Sequence, residues 1–186
     1  MASAALKRTT VSIDDYLELE RESPVRHEYV GGQLYAMGGS SDRHNTITLA
    51  LASFLFGQLA GRCGVYTADM RLRIALADGE VAYYPDVLVA CDPADRASHH
   101  RERPVFLAEV LSPTTERIDR TEKLIAYRQI PSLEEYLIAE QDVARVELYR
   151  RANGFKREVL EAGDVIRFAS VGLELAVEQL YRHVTF

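Results

Sequence analysis

The sequence predicts an α/β (α+β) domain in which a mixed β-sheet is flanked by helices. Three observations carry this. The apolar period alternates along the chain between about 3.6 residues, as in helices, and 2, as in strands. The run Val105-Phe106-Leu107-Ala108-Glu109-Val110-Leu111 is almost wholly apolar and has the character of a central strand. The predicted order α-β-β-α-β-β-β-α-β-β-β interleaves the two element types along the chain. With 186 residues, 47% of them hydrophobic, and no repeat, low-complexity tract or proline-rich linker, the whole chain 1–186 reads as one domain.

Each element has a local reason. Ser12 followed by Asp14-Asp15 starts a short helix that runs to about Glu22. Glu28-Tyr29-Val30, Gly31-Gly32 and Gln33-Leu34-Tyr35-Ala36-Met37 form a hairpin, the glycines supplying positive φ. Asp42 is expected to cap a long helix to about Ala60, along which Ile47, Leu51, Phe54, Leu55 and Leu59 keep helical spacing. Arg71 to Leu76 alternates as a strand, Asp78-Gly79 turns, and Val81 to Ala90 returns as one further strand. Ser112-Pro113-Thr114-Thr115 breaks the apolar strand that Pro104 introduces, and a helix follows from Glu116 to about Gln129, ended by Pro131-Ser132. Strands are expected over 135–139, 143–150 and 155–161, with Asn153-Gly154 between the last two, and a closing strand or short helix over 173–180.

Composition excludes several classes of function. The net charge is −6, so no strong basic field advertises a polyanion partner; nucleic-acid binding would need a local basic surface, a bound cation or assembled subunits. Cys63 and Cys91 are too few for a disulfide framework or a cysteine-rich zinc site. The opening MASAALKRTT lacks the apolar core of a signal peptide, and no apolar run approaches the roughly 20 residues of a membrane span. A soluble, cytoplasmic protein without a membrane partner is the expectation.

Two acids stand where acids are costly. Asp86, in Tyr83-Tyr84-Pro85-Asp86-Val87-Leu88-Val89-Ala90, and Glu109 are each the only acid of an apolar strand. Burying an ionised carboxylate costs several kcal/mol unless a cation or hydrogen bonds compensate. An edge-strand acid facing water, or a buried pair with Arg71 or Arg73, would explain either one singly. If neighbouring strands carry both side by side, they form a hard-oxygen site suited to Mg²⁺ or Mn²⁺. Leu111 shares the face of Glu109, so a cationic partner must come from elsewhere. Lys123 on the following helix is such a cation. It lies at i+4 from Asp119 and i−4 from Tyr127, spacing that by itself describes an ordinary surface ion pair with Asp119.

These residues resemble a known family. Tyr84-Pro85-Asp86-Val87, then Glu109-Val110-Leu111-Ser112-Pro113-Thr114-Thr115, then Asp119, Lys123 and Tyr127, then Glu135-Tyr136-Leu137 are similar to the Uma family of proposed endonucleases, once a domain of unknown function. That family belongs to the restriction-endonuclease-like PD-(D/E)XK superfamily. The segment His27 to Met37 and the pair His44-Asn45 agree as well, and the resemblance spans about 12–161. It implies a restriction-endonuclease-like core with Asp86 and Glu109 as paired metal ligands and the Val110 carbonyl as a further ligand. It also implies that Lys123 is the catalytic lysine moved from strand to helix, and that Glu28 is an extra acid from the amino-terminal region. His44 matches a recurrent position, with a supporting or phosphate-contacting part. Leu111 departs from the superfamily pattern, which has lysine there, although an apolar residue is usual in the Uma family.

The expected chemistry is phosphodiester hydrolysis, on DNA with RNA also open, through a Mg²⁺-bound water, Mn²⁺ being a substitute. Lys123 would orient the water or stabilise transition-state charge, its pKa lowered by apolar surroundings. Arg71 and Arg73 share a strand face and would contact phosphate or pair with Asp69, Asp86 or Glu109. Arg96 to Arg103 is the most basic local stretch and would contact phosphate or lie solvated. Tyr83 and Tyr84 read as core and strand-face residues. A catalytically silent binding or assembly module of the same fold, and a hydrolase of small phosphorylated substrates, are the rival readings. Because two-strand cleavage commonly pairs two sites, a homodimer is also expected, with the apolar carboxyl-terminal strands as its interface.

Overall fold

The computed structural model describes residues 10–113 and 115–186. The expectations for the opening segment and for Thr114 in the strand break fall outside the described residues. Among the described residues, no helix is long and apolar enough to cross a membrane.

The chain opens with α1 (Ile13–Glu22), capped by Ser12, whose Oγ accepts from the Asp15 amide. The hairpin β1 (His27–Val30) and β2 (Gln33–Ala36) turns through Gly31 and Gly32, with φ of 55° and 82°, values that L side chains rarely adopt. The long helix α2 (Asp42–Leu59) begins one residue earlier than expected in its capping: Ser41, not Asp42, is the cap, its Oγ accepting from the His44 amide. Asp42 instead occupies the first turn, where its charge complements the helix dipole.

The expected single strand from Val81 to Ala90 is two strands. After β3 (Gly64–Thr67) and β4 (Arg71–Leu76), the chain forms β5 (Gly79–Tyr83) and then β6 (Val87–Ala90), which belong to different sheets. Tyr84-Pro85-Asp86 crosses between them, Pro85 having no N–H to continue a ladder. There follow β7 (His100–Arg101), β8 (Phe106–Val110), β9 (Glu135–Ala139), β10 (Arg145–Arg150), β11 (Arg157–Glu161), β12 (Val165–Phe168) and β13 (Leu173–Ala176). The closing segment is both strand and helix: β13 runs directly into α3 (Val177–Leu180). The strands β3, β7 and β12 were not anticipated, being short and without a full alternating run.

Between β8 and β9 lies the expected helix, but it is not regular. An α-turn, Glu116–Ile118, leads into a π-helical turn, Asp119–Lys123, and then an α-turn, Leu124–Tyr127. The fold class is as predicted, an α+β protein of mixed sheets flanked by helices, with two principal sheets. The first has the order β2-β1-β5-β4-β7, and the second β11-β10-β9-β8-β6-β3. In the second sheet β8 and β9 are parallel, while β6 and β8 are antiparallel.

Strand alternation divides the core. Val87, Val89, Phe106, Ala108 and Val110 face α2, where Ile47, Leu51, Leu55 and Leu59 pack on them. Leu88, Ala90, Leu107, Leu111, Tyr136 and Ile138 face the first sheet and the turn that carries Ala126 and Tyr127. The second sheet is therefore covered on both faces, which is why its central strand lacks an alternating polar pattern. Tyr83 and Tyr84 are buried, as expected.

Candidate active site

The alternation that builds the core also aims the acids. Glu109 lies between Leu107 and Leu111 in parity, so its side chain enters the layer between the two sheets. The register of β6 and β8 pairs Val87 with Ala108, and its next step sets Asp86 abreast of Glu109. Asp86 and Glu109 thus come together, and the alternatives of a water-facing edge acid or an arginine pair for Glu109 fall away. Glu109 is only 3% exposed.

Its cation is Lys123. The Lys123 Nζ lies 3.0 Å from Glu109 Oε1, 3.1 Å from Glu28 Oε1 and 3.2 Å from Asp119 Oδ1. The π turn presents Asp119 and Lys123 together to the interior, so their pairing is a buried contact and not the surface pair their spacing suggests. The ammonium also sits 5.6 Å from the centroid of the Tyr83 ring. Tyr127, one turn beyond Lys123, donates its hydroxyl to Glu109 Oε1 at 2.7 Å. Asp86 uses Oδ2 to accept from the Val110 amide at 2.7 Å and to meet His44 Nε2 at 3.1 Å. The imidazole reaches it from the first turn of α2, where Ser41 fixes the His44 backbone.

Three carboxylates facing one ammonium set the electrostatics. Burial alone would discharge Lys123, yet Glu109, Glu28 and Asp119 outweigh it and hold its pKa well above the ordinary lysine value. This corrects the expectation of a lowered lysine pKa: the groups that touch the ammonium are carboxylates, not apolar side chains. Burial pushes the Glu109 carboxyl well up; Lys123 opposes that shift, while Asp119, Asp86 and Glu28 add to it. Burial and the neighbouring Glu109 likewise keep the Tyr127 hydroxyl protonated and so a donor. For His44, burial is offset by the hydrogen bond and charge of Asp86, and its pKa is raised.

The remaining expected residues lie elsewhere. Arg71 donates Nε to the Tyr84 hydroxyl at 3.1 Å and stacks over Tyr16 on the α1 side of the first sheet. Arg73 binds Glu80 at 2.8 Å. Neither pairs with Asp69, Asp86 or Glu109, because the strand face they share looks away from the site. Asp119 and Tyr127 were legible as helix neighbours of Lys123 and as part of the family resemblance, without a role in the site; the π turn Asp119–Lys123 was not readable.

The donor set fits a hard divalent cation. The convergent acids, Asp86, Glu109, Glu28 and Asp119, offer carboxylate oxygen, and Asp119 Oδ1 is buried without a hydrogen bond, the ammonium at 3.2 Å being misaligned for one. The His44 Nδ1 and Thr48 Oγ1 atoms are also buried without hydrogen bonds. Among the described residues, no three His, Cys, Asp or Glu side chains already form a metal cage. Mg²⁺ does not require one, since it retains most of its waters and takes one or two carboxylates.

The sequence matches the model of the Uma2 family, described as "Putative restriction endonuclease", over residues 13–178. The chain belongs to the Uma2 family. The chain is also similar to two proteins from Synechocystis sp. (strain ATCC 27184 / PCC 6803 / Kazusa). The uncharacterized protein slr1290 is 34% identical over 180 residues, 95% of this chain and 94% of that protein. The uncharacterized protein sll1609 is 33% identical over 141 residues, 74% of this chain and 78% of that protein. A crystal structure described as a putative nuclease belonging to DUF820, from Anabaena variabilis ATCC 29413, superposes with a TM-score of 0.74 at 18% identity, covering 92% of this chain and 98% of that one. At that identity the likeness shows that the two chains share a fold. In this Uma2 chain the acids and the lysine of the sequence motif share one buried centre.

Proposed function

We propose that this protein is a Mg²⁺-dependent endonuclease that hydrolyses phosphodiester bonds of DNA. The observation that carries the reading is the Glu109 carboxylate, held in a core strand abreast of Asp86 and facing Lys123, Glu28 and Asp119. Such a concentration of buried negative charge is costly in a purely structural role. Asp86 and Glu109 would hold the ion, each through the oxygen not engaged above, with Glu28 or Asp119 as a further oxygen. When bound, Mg²⁺ supplies an acidified water and a polarised phosphoryl oxygen.

The chain's own groups do the rest. Tyr127 and the Val110 amide hold the two carboxylates in fixed orientations, so little reorganisation precedes reaction. Lys123 remains charged and stabilises the negative charge that develops on the phosphoryl group; to reach it, the ammonium gives up one of its three carboxylate contacts. His44 braces Asp86 from α2. Pairing two such centres in a homodimer would let both strands of a duplex be cut in one encounter.

The test is cleavage of plasmid and labelled oligonucleotides with Mg²⁺ or Mn²⁺. Asp86→Ala and Glu109→Ala are expected to lower the rate by about 100-fold or more, the scale of losing a group that supports transition-state charge. Wild-type rates in both variants reject the site. A second reading, a silent module that keeps the fold, is favoured by the full engagement of Lys123 with carboxylates and by the net charge of −6. It predicts no cleavage across single- and double-stranded DNA, RNA and small phosphodiesters, and no Mg²⁺ binding by calorimetry.

A further inference from the structure

A concavity lies at the far end of β6, away from the acidic centre. It is a cleft of about 460 Å³ whose walls include Arg62, Arg96 and Arg101. Cys91 follows β6 five residues beyond Asp86, which at strand rise places the cleft roughly 16 Å from the acidic centre. Cys63 and Cys91 are joined by a disulfide, a pairing the sequence did not reveal, and this ties together the chain segments that form two sides of the cleft.

Two of the three arginines, Arg96 and Arg101, are held by neutral groups. Arg101 donates to the Tyr66 hydroxyl at 2.6 Å, stacks 4.5 Å from that ring's centroid, and donates to the carbonyls of His100, at 2.8 Å, and Ala97. Arg96 donates Nε to the Pro93 carbonyl. Among the described residues, none of the three has a carboxylate within 4.0 Å, so none is engaged in an ion pair. Most other arginines are paired: Arg43 with Asp142, Arg73 with Glu80, Arg120 with Glu147. Two acids, Asp92 and Asp95, also line the cleft, but both are engaged. Asp92 binds Arg103 and the Ala94 amide, and Asp95 accepts from the amides of Glu102 and Arg103.

The cleft is built, not incidental. Tyr66 lies across Gly64, two residues earlier on the same face of β3, and a Cβ at Gly64 would collide with its ring. The absent side chain lets the phenol lie where it orients Arg101. Guanidinium groups pre-oriented by neutral acceptors, with donors to spare, suit the tetrahedral oxygens of a phosphate.

We propose that this cleft binds phosphate groups of a nucleic-acid backbone, as an anchor separate from the centre that holds Asp86 and Glu109. The choice of polynucleotide among phosphate carriers rests on the nuclease reading. The anchor also answers the difficulty of an acidic protein meeting a polyanion, by local charge and not by net charge.

The test uses the full chain and labelled oligonucleotides, with divalent cations chelated so that binding is read without cleavage. Affinity is measured by fluorescence anisotropy against salt concentration, for wild type and for Arg62→Ala/Arg96→Ala, which removes two exposed side chains. The double variant is expected to bind about tenfold more weakly, with a log–log salt slope shallower by about one for each arginine. Gly64→Ala is expected to act in the same direction by displacing Tyr66 and Arg101. Unchanged slope in the double variant overturns the proposal. Inorganic phosphate is titrated in parallel; a wild type that binds it in the cleft but no oligonucleotide overturns the polynucleotide assignment, and binding of neither overturns the site. Slope loss without any cleavage in the separate Mg²⁺ assay defeats the nuclease reading and leaves the anchor standing.

Discussion

At the scale of single residues, Lys123 is the hinge of the site's energetics. It is the one cation among Glu28, Glu109 and Asp119, so its loss leaves buried charge uncompensated. Lys123→Met is expected to lower unfolding free energy by about 3–5 kcal/mol, the cost of breaking a buried pair from one side. Glu28→Gln removes part of an excess negative charge and is expected to cost much less; denaturant unfolding of both variants checks the order. A larger loss for Glu28→Gln would contradict the charge balance argued above. Tyr127→Phe, which takes a hydrogen bond from a buried carboxylate, is expected to cost about 1.5–3 kcal/mol in the same assay. The odd acid in an apolar strand was readable as a signal because burying a carboxylate there is costly without a compensating partner. Which cation answers it was not, since Lys123 and Arg71 are equally plausible until the sheets are in place.

At the scale of elements, the π turn Asp119–Lys123 decides the site. It is braced from the other side by Arg120, whose guanidinium binds Glu147 Oε1 at 2.9 Å and Glu140 Oε1 at 3.1 Å on the second sheet. Tyr136 donates to the Asp119 carbonyl at 3.2 Å, adding a second tie. Burial works against ionisation of Glu147, yet hydrogen bonds from Arg157, Tyr149 and Arg120 bring its carboxyl down to about 2 from the ordinary 4.5. A depressed carboxylate stabilises the fold fully above the unfolded value and loses that contribution as pH falls from about 4.5 through 2. The wild type is therefore expected to lose up to about 3 kcal/mol across that window through this residue. Glu147→Gln should flatten that limb of the stability–pH curve, measured by urea unfolding at stepped pH. An equally steep limb in the variant would remove Glu147 from the account. The helix itself was legible from its spacing. Its π turn was not, because the extra residue per turn is fixed by where Arg120, Asp119 and Lys123 find partners, all of them distant in sequence.

For the whole molecule, two sheets meet over a layer that contains both an apolar cluster and the acidic centre, and one covalent link secures the margin. The Cys63–Cys91 bridge joins residues 28 apart in sequence and encloses β3, β4, β5 and β6. Its reduction is expected to lower stability by about 3–4 kcal/mol on the loop-entropy scale, read as a drop in Tm on adding dithiothreitol. A Cys63→Ser/Cys91→Ser variant should show the lower Tm and no response to the reductant. Neither cysteine announced its partner, because the intervening residues must first fold into four strands to bring β3 beside β6.

The sequence by itself determined the fold class, the hairpin at Gly31-Gly32, the α1 and α2 helices, the central strand and the identity of the two misplaced acids. These follow from local chemistry: periodicity, capping groups, turn glycines and the cost of a carboxylate among apolar neighbours. Tertiary structure alone decided that Val81 to Ala90 divides between sheets, that Arg71 and Arg73 face away from the site, that Lys123 stays charged, and that three arginines share a cleft with a disulfide. Each of these depends on which distant groups come within a few ångströms of one another, and Coulomb and hydrogen-bond energies at that range are set by register and packing, which a linear pattern does not carry.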